Sequence, residues 1–129
     1  MILLDTHIWF WWVQDVNQLT PQQRTALSNG ERDGLGVSVI SCWEVAMLVA
    51  KKRLALSVSA TDWVRQALRY PGIRQLRLTP NIAVASTELP GDFHPDPADR
   101  IIVATARAHD VPVMTNDDRI RNYGHVKVT

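Results

Sequence analysis

A chain of 129 residues, 46% hydrophobic and 21% charged, has apolar content for one compact core and no length for a second, so residues 1–129 are expected to form a single domain. A formal net charge of +1 excludes strong overall attraction for a polyanion, so any pull on a charged substrate is local or carried by bound metal. The lone Cys42 excludes an intrachain disulfide, and neither Met1–Asp5 nor the apolar run Ile8–Val13 reads as a signal or a membrane span, so a cytoplasmic protein is expected.

Short β-like runs alternate with longer helical ones. Met1 to Leu4 is an apolar strand that ends at Asp5. Trp9, Phe10, Trp11 and Trp12 follow on a helix, pointing around most of its circumference. Some should fill the core, and the rest should contact a second copy or a partner, with base stacking on RNA as the alternative use. Thr20-Pro21 places a capping hydroxyl before a proline at a helix start. Gly36 to Ile40 reads as a second strand, and Ser41-Cys42-Trp43-Glu44 as a capping box opening the helix Val45 to Ala50. Leu76 to Leu78 is a third short strand, with Thr79-Pro80 starting another helix. Leu89 to Pro95 is a loop by its proline and glycine content. Asp96-Pro97-Ala98-Asp99 then opens a helix through Ile101, Ile102, Thr105 and Ala108. Val111 to Met114 and Val126 to Val128 are the last strand candidates. This alternation implies an α/β fold, a three-layer α/β/α sandwich around a central, mostly parallel sheet.

The acids fall at telling places. Asp5 follows the first strand, Glu44 lies early in the helix after the second, Asp99 starts a late helix, and Asp117 comes three residues after the strand ending at Met114. In open α/β sheets the ligand crevice lies outside the carboxyl ends of the strands. Each acid also has a purely structural use, as a cap or turn residue. As a set they repel: carboxylates about 5 Å apart oppose one another by about 3 kcal/mol per pair at an effective dielectric of about 20. A fold keeps such a cluster when a cation offsets it. All-oxygen ligands select Mg²⁺ or Mn²⁺ over zinc. Cys42 is alone, and His7, His94, His109 and His125 show no metal-ligand spacing, His94 reading as a solvated loop histidine.

With those residues in view the chain resembles the PIN domain, and within it the VapC-type toxin ribonucleases of prokaryotic toxin–antitoxin pairs. Leu3-Leu4-Asp5-Thr6-His7 is similar to the family's opening strand and first metal-binding Asp. Ser41 to Ala46, Asp96 to Ala104 and Thr115 to Ile120 resemble its second, third and fourth motifs, with Glu44, Asp99 and Asp117 at the acidic positions. The resemblance covers essentially the whole chain in order. It implies a PIN-like fold and metal ligation by Asp5, Glu44, Asp99 and Asp117, with Asp118 as the alternative fourth acid. Thr6 and Thr115 are the hydroxyls expected to hold those carboxylates.

The chemistry so implied is metal-assisted hydrolysis of RNA phosphodiester bonds, with Mg²⁺ or Mn²⁺ as cofactor. Lys51, Lys52 and Arg53, and Arg100, Arg119 and Arg121 near the acids, are the cations available to a phosphate backbone. The resemblance further implies a cognate antitoxin; the Trp9–Trp12 segment offers it an apolar anchor, and a homodimer is expected from the same apolar run. Two other functions share parts of the pattern: a PIN-like binding module without catalysis, and a metal-dependent phosphatase.

Overall fold

The structure, a computed structural model, describes all 129 residues. Strand β1 (Ile2–Leu4) enters helix α1 (Thr6–Gln14) through the single residue Asp5. After a 3₁₀ turn at Val16–Gln18 comes α2 (Pro21–Gly30), then β2 (Leu35–Ser38), α3 (Val39–Ala50) and α4 (Ala60–Ala67). Strand β3 (Ile73–Leu76), α5 (Pro80–Ala85), α6 (Pro97–His109), β4 (Val113–Met114) and α7 (Asp118–Arg121) complete the chain. No helix is long and apolar enough to cross a membrane.

The four strands form one all-parallel sheet in the order β3-β2-β1-β4. Leu3 is opposite Gly36 on one side and Val113 on the other, so β1 is central. Side chains alternate across the sheet as the period of two demands. Leu4, Leu35, Val37 and Met114 join Ile8, Trp9, Val45 and Trp63 in one core cluster. Leu3, Leu76 and Val113 join Ile82, Ile102, Val103 and Ile120 in the other. Helices therefore cover both faces, which is the expected three-layer α/β/α sandwich. The chain steps from β1 to β2 and β3 on one side and returns with β4 on the other. The order thus reverses between β1 and β4, and at such a switch point their carboxyl ends open a crevice.

Caps explain the helix starts. Thr20 and Gln23 form a reciprocal capping box, and Thr79 Oγ1 accepts from Ile82 N at 3.2 Å. Four expectations need correction. Val39 and Ile40 are not strand residues: Ser38 Oγ accepts from Ile40 N, and the helix starts there, packing against the sheet at the expense of a weak β preference. Ser41 is consequently inside α3, and no capping box forms with Glu44. The third strand lies at Ile73–Leu76, where Gly72 at φ +78° accepts a hydrogen bond from Leu35 N and sets the register beside β2. Val126–Val128 contributes only a parallel bridge, Val113 to Val128.

The aromatic segment divides between core and surface. Trp9, Phe10 and Trp12 are all buried. The reason is α4, which sequence patterning did not reveal: its Trp63 packs edge-on against Trp9 at 5.1 Å and lies 5.1 Å from Phe10. Trp63 Nε1 also donates to Gln14 Oε1 at 2.8 Å. Only Trp11 keeps partial access to solvent, so most of the segment is core and Trp11 alone is left to touch a partner. The exposed tryptophan is Trp43 on α3, with 56% of its surface accessible.

Candidate metal centre at the carboxyl edge of the sheet

Asp5 sits where β1 meets α1 and is 5% exposed. Its Oδ1 accepts from Thr6 N at 2.8 Å, and its Oδ2 accepts from Thr115 Oγ1 at 2.6 Å. Thr115 Oγ1 in turn accepts from Asp117 N at 2.9 Å, so one hydroxyl ties the loop after β4 to the acid after β1. Thr6 does the same on the other side. Its Oγ1 donates to Glu44 Oε1 and lies 2.8 Å from Ser41 Oγ. Ser41 and Glu44 share one face of α3 at a spacing of three residues, which brings that face to Thr6.

Asp99 is in the first turn of α6, 7% exposed, and its backbone N–H donates to the capping Asp96 Oδ1 at 3.0 Å. Its Oδ2 lies 3.1 Å from His94 Nε2 and 3.5 Å from Arg119 Nη2. Asp117 caps α7, and its two oxygens grip Arg119 in a fork at 3.1 and 2.8 Å. Asp118 is exposed in the first turn of α7 and carries no ion pair. The crevice therefore gathers Asp5, Glu44, Asp99 and Asp117, with Thr6 and Thr115 between them, and leaves Asp118 on its rim.

The protonation equilibria report crowding. Burial, and then the charges of Asp5, Asp96, Glu44 and Asp117, push the Asp99 carboxyl up to about 7. Burial also raises Asp5 and Glu44, against the lowering effect of their hydrogen bonds to Thr115 and Thr6. Asp117 moves the other way, because its bonds to Arg119 hold it below the usual carboxylate range. Burial, followed by the Arg119 charge, lowers His94. Three acids pushed toward neutrality around one point form a site that an added positive charge relieves.

The donors, carboxylate oxygens with one imidazole nitrogen beside them, fit a divalent cation. Ligand atoms of Asp99, Asp117 and His94 lie within 4.8 Å of one another, and the guanidinium of Arg119 already bridges the two acids as a cation does. Residues 2–126 match the PIN domain as a protein family. The chain belongs to the PIN-domain family. It is 34% identical over 124 residues to ribonuclease VapC22 of Mycobacterium tuberculosis, covering 96% of this chain and 92% of that one, which places it among the VapC-type PIN domains. Its fold matches that of VapBC2 from Rickettsia felis, solved with a promoter DNA fragment, at a TM-score of 0.71. That match has 15% identity and covers 100% and 98% of the two chains. FitAcB from Neisseria gonorrhoeae matches equally well, at 0.71, with 23% identity and 99% and 96% coverage.

In this PIN domain two residues by the acids have a different place from the one their sequence suggested. His94 is not a solvated loop residue, since its Nε2 is buried against Asp99. Its only sequence signal was proximity to Asp96 and Asp99. Arg119 engages the acids themselves. Arg100 and Arg121, expected near substrate, are committed elsewhere: Arg100 donates to the carbonyls of Ser86, Phe93 and His94, and Arg121 to that of Thr115. Both brace the loops that carry the site. Lys51, Lys52 and Arg53 are exposed at the far end of α3.

Proposed function

We propose that this protein is a divalent-metal-dependent endoribonuclease, the toxin of a toxin–antitoxin pair, with Asp5, Glu44, Asp99 and Asp117 as the residues that hold the metal. The observation that carries this reading is the convergence of the four acids at the β1–β4 switch point, with Asp99 pushed up to about 7 by its neighbours. The kinship with a VapC ribonuclease supports the substrate. Oxygen donors favour Mg²⁺ or Mn²⁺, which when bound supplies an acidified water and neutralises charge on a phosphate.

The chain's own residues do the positioning. Thr115 and the Thr6 N–H use up one lone pair on each oxygen of Asp5 and hold the carboxylate in one orientation. Thr6 occupies Oε1 of Glu44, leaving Oε2 to orient the attacking water. Arg119 is 60% exposed at its side chain and can turn from the acids to a phosphate oxygen. Asp118, on the rim, is the lesser candidate for the fourth acid.

For the antitoxin, the surface we favour is the groove between α3 and α4, about 530 Å³, lined by Cys42, Trp43, Ala46, Ala60, Val64 and Leu68. An exposed tryptophan in an apolar groove is the composition that dominates binding energy in protein interfaces. Leu78 and Val84, exposed at and beside α5, support a homodimer contact. A cytoplasmic, single-domain protein over residues 1–129 completes the reading.

The deciding experiment incubates purified protein with a mixed RNA pool in Mg²⁺, Mn²⁺ or EDTA, beside p-nitrophenyl phosphate. Cleavage of RNA in either metal and none in chelator is expected. Undiminished cleavage in excess EDTA overturns the metal reading, and hydrolysis of the small ester alone makes the protein a phosphatase. Expression alone should arrest growth, and co-expression of the adjacent gene should relieve it.

A further inference from the structure

The acids form only part of the crevice. A cleft of about 480 Å³ runs outward from Asp5 and Asp117, between α1 and the loop after β4. Its α1 wall is made by His7 and Trp11, and its opposite wall by Asn116 and Arg119. His7 and Trp11 are four residues apart on one helix face, with ring centroids 5.6 Å apart and planes inclined by 51°. Trp11 is the only apolar residue lining the cleft. It packs against the core beneath it while remaining partly open to solvent. Core packing explains Trp9 and Trp12; it does not explain why a tryptophan and a histidine together face a cleft of acids and amides.

We propose that the Trp11 ring, with the tilted His7 ring beside it, forms a stacking platform for one nucleobase of single-stranded RNA, the base next to the phosphate held at the acids. The proposal rests on the ribonuclease reading above. Nucleic acid is the ligand whose chemistry alternates as the cleft does, with phosphate for a cation-loaded acidic centre and a flat apolar ring for the aromatic wall. Every base has a π-face, so such a platform accepts single strands with little regard to sequence. Bases in a duplex are stacked on each other and cannot reach it. Asn116 adds a polar contact beside the rings. Its Oδ1 accepts from Gln23 Nε2 at 2.7 Å, which fixes the amide and leaves its Nδ2 free to donate to a base edge. Arg119, on the same wall, serves the phosphate.

The test couples a protein change to a substrate change. The cut site of a short oligoribonucleotide is first mapped with the wild-type protein in Mn²⁺. An abasic residue is then placed at each nucleotide flanking the cut, and kcat/KM is measured for wild type, Trp11→Ala, Trp11→Phe and His7→Ala. Wild type should lose roughly tenfold on one abasic substrate, the size of one stacked base. Trp11→Ala should show that loss on the intact substrate and no further loss on the abasic one. Trp11→Phe should recover most of the activity, and His7→Ala should fall between. Annealing the complementary strand should suppress cleavage by wild type. Equal efficiency of Trp11→Ala and wild type on intact RNA overturns the proposal, and so do losses that simply multiply, which mark a structural role. Cleavage without coupling sinks the platform alone, whereas no cleavage of any RNA by wild type sinks the ribonuclease reading with it.

Discussion

Asp99→Asn should make the metal-free protein more stable, by an amount that grows from about pH 4 to about pH 7 and is level above that. Asp99 is buried among Asp5, Asp96, Glu44 and Asp117, and its carboxyl is raised from 3.8 to about 7. A folded-state value above the unfolded one means that its contribution to stability is fully present below about pH 4 and is lost as pH rises through about 7. The shift corresponds to about 4 kcal/mol at about 1.4 kcal/mol per pKa unit. Solvent reaches the cleft, and Arg119 screens one carboxylate oxygen, so about half of that, ~2 kcal/mol, is the expected penalty at pH 8. Asparagine keeps the shape and removes the charge. In EDTA at pH 8 the variant should therefore melt about 7 °C above wild type, a domain of this size moving about 3–4 °C per kcal/mol. At pH 3 the two should melt together, because Asp99 is then protonated in both the folded and the unfolded chain, whereas at pH 5 the gap should be roughly two fifths of its pH 8 size. Saturating Mn²⁺ should reverse the order, raising the melting temperature of wild type and leaving Asp99→Asn nearly unmoved. Calorimetry or circular dichroism melts measure all three. A variant no more stable than wild type at pH 8 in EDTA, or equally stabilised at pH 3, refutes the account of the acids as a repelling cluster.

Other changes separate the site from its scaffold. Asp5→Asn should reduce RNA cleavage by about a hundredfold or more while the protein stays folded, and a wild-type rate removes Asp5 from the centre. Thr115→Val should cost about 1–2 kcal/mol in urea denaturation, because it strips Asp5 Oδ2 and the Asp117 N–H of one shared partner, and should weaken Mn²⁺ binding by calorimetry. Trp9→Ala should cost about 3–5 kcal/mol in the same denaturation assay, as a fully buried ring must. Trp43→Ala should leave stability within about 0.5 kcal/mol of wild type and weaken the antitoxin complex by about 2 kcal/mol. Unchanged affinity after Trp43→Ala moves the antitoxin contact away from the α3–α4 groove.

Much of this was legible in the residues themselves. Local signals with a local cause came through: Thr20-Pro21, Thr79-Pro80 and Asp96-Pro97 each begin a helix, because a capping oxygen and a preset proline φ act within one turn. The places of Asp5 and Asp117 were also readable, since a parallel strand delivers the residues after it to one edge of the sheet, whereas Glu44 and Asp99 reach that edge from helices α3 and α6. Strand ends were not. Val39 and Ile40 have a β preference worth a fraction of a kcal/mol, and the packing of α3 on the sheet outweighs it. Four adjacent aromatics carry no mark of which will be buried; Trp63, fifty-odd residues away, decides that for Trp9 and Phe10. The same holds for the cations. Arg100, Arg119 and Arg121 look alike in sequence, yet tertiary geometry gives two of them to loop carbonyls and one to Asp99 and Asp117. Sequence by itself determined which side chains carry charge and which turn begins a helix, because these are properties of a residue and its near neighbours. Partners distant in the chain decided burial, ion pairing and the shifted Asp99, because desolvation and Coulomb interaction depend on distance in space and not on separation along the backbone.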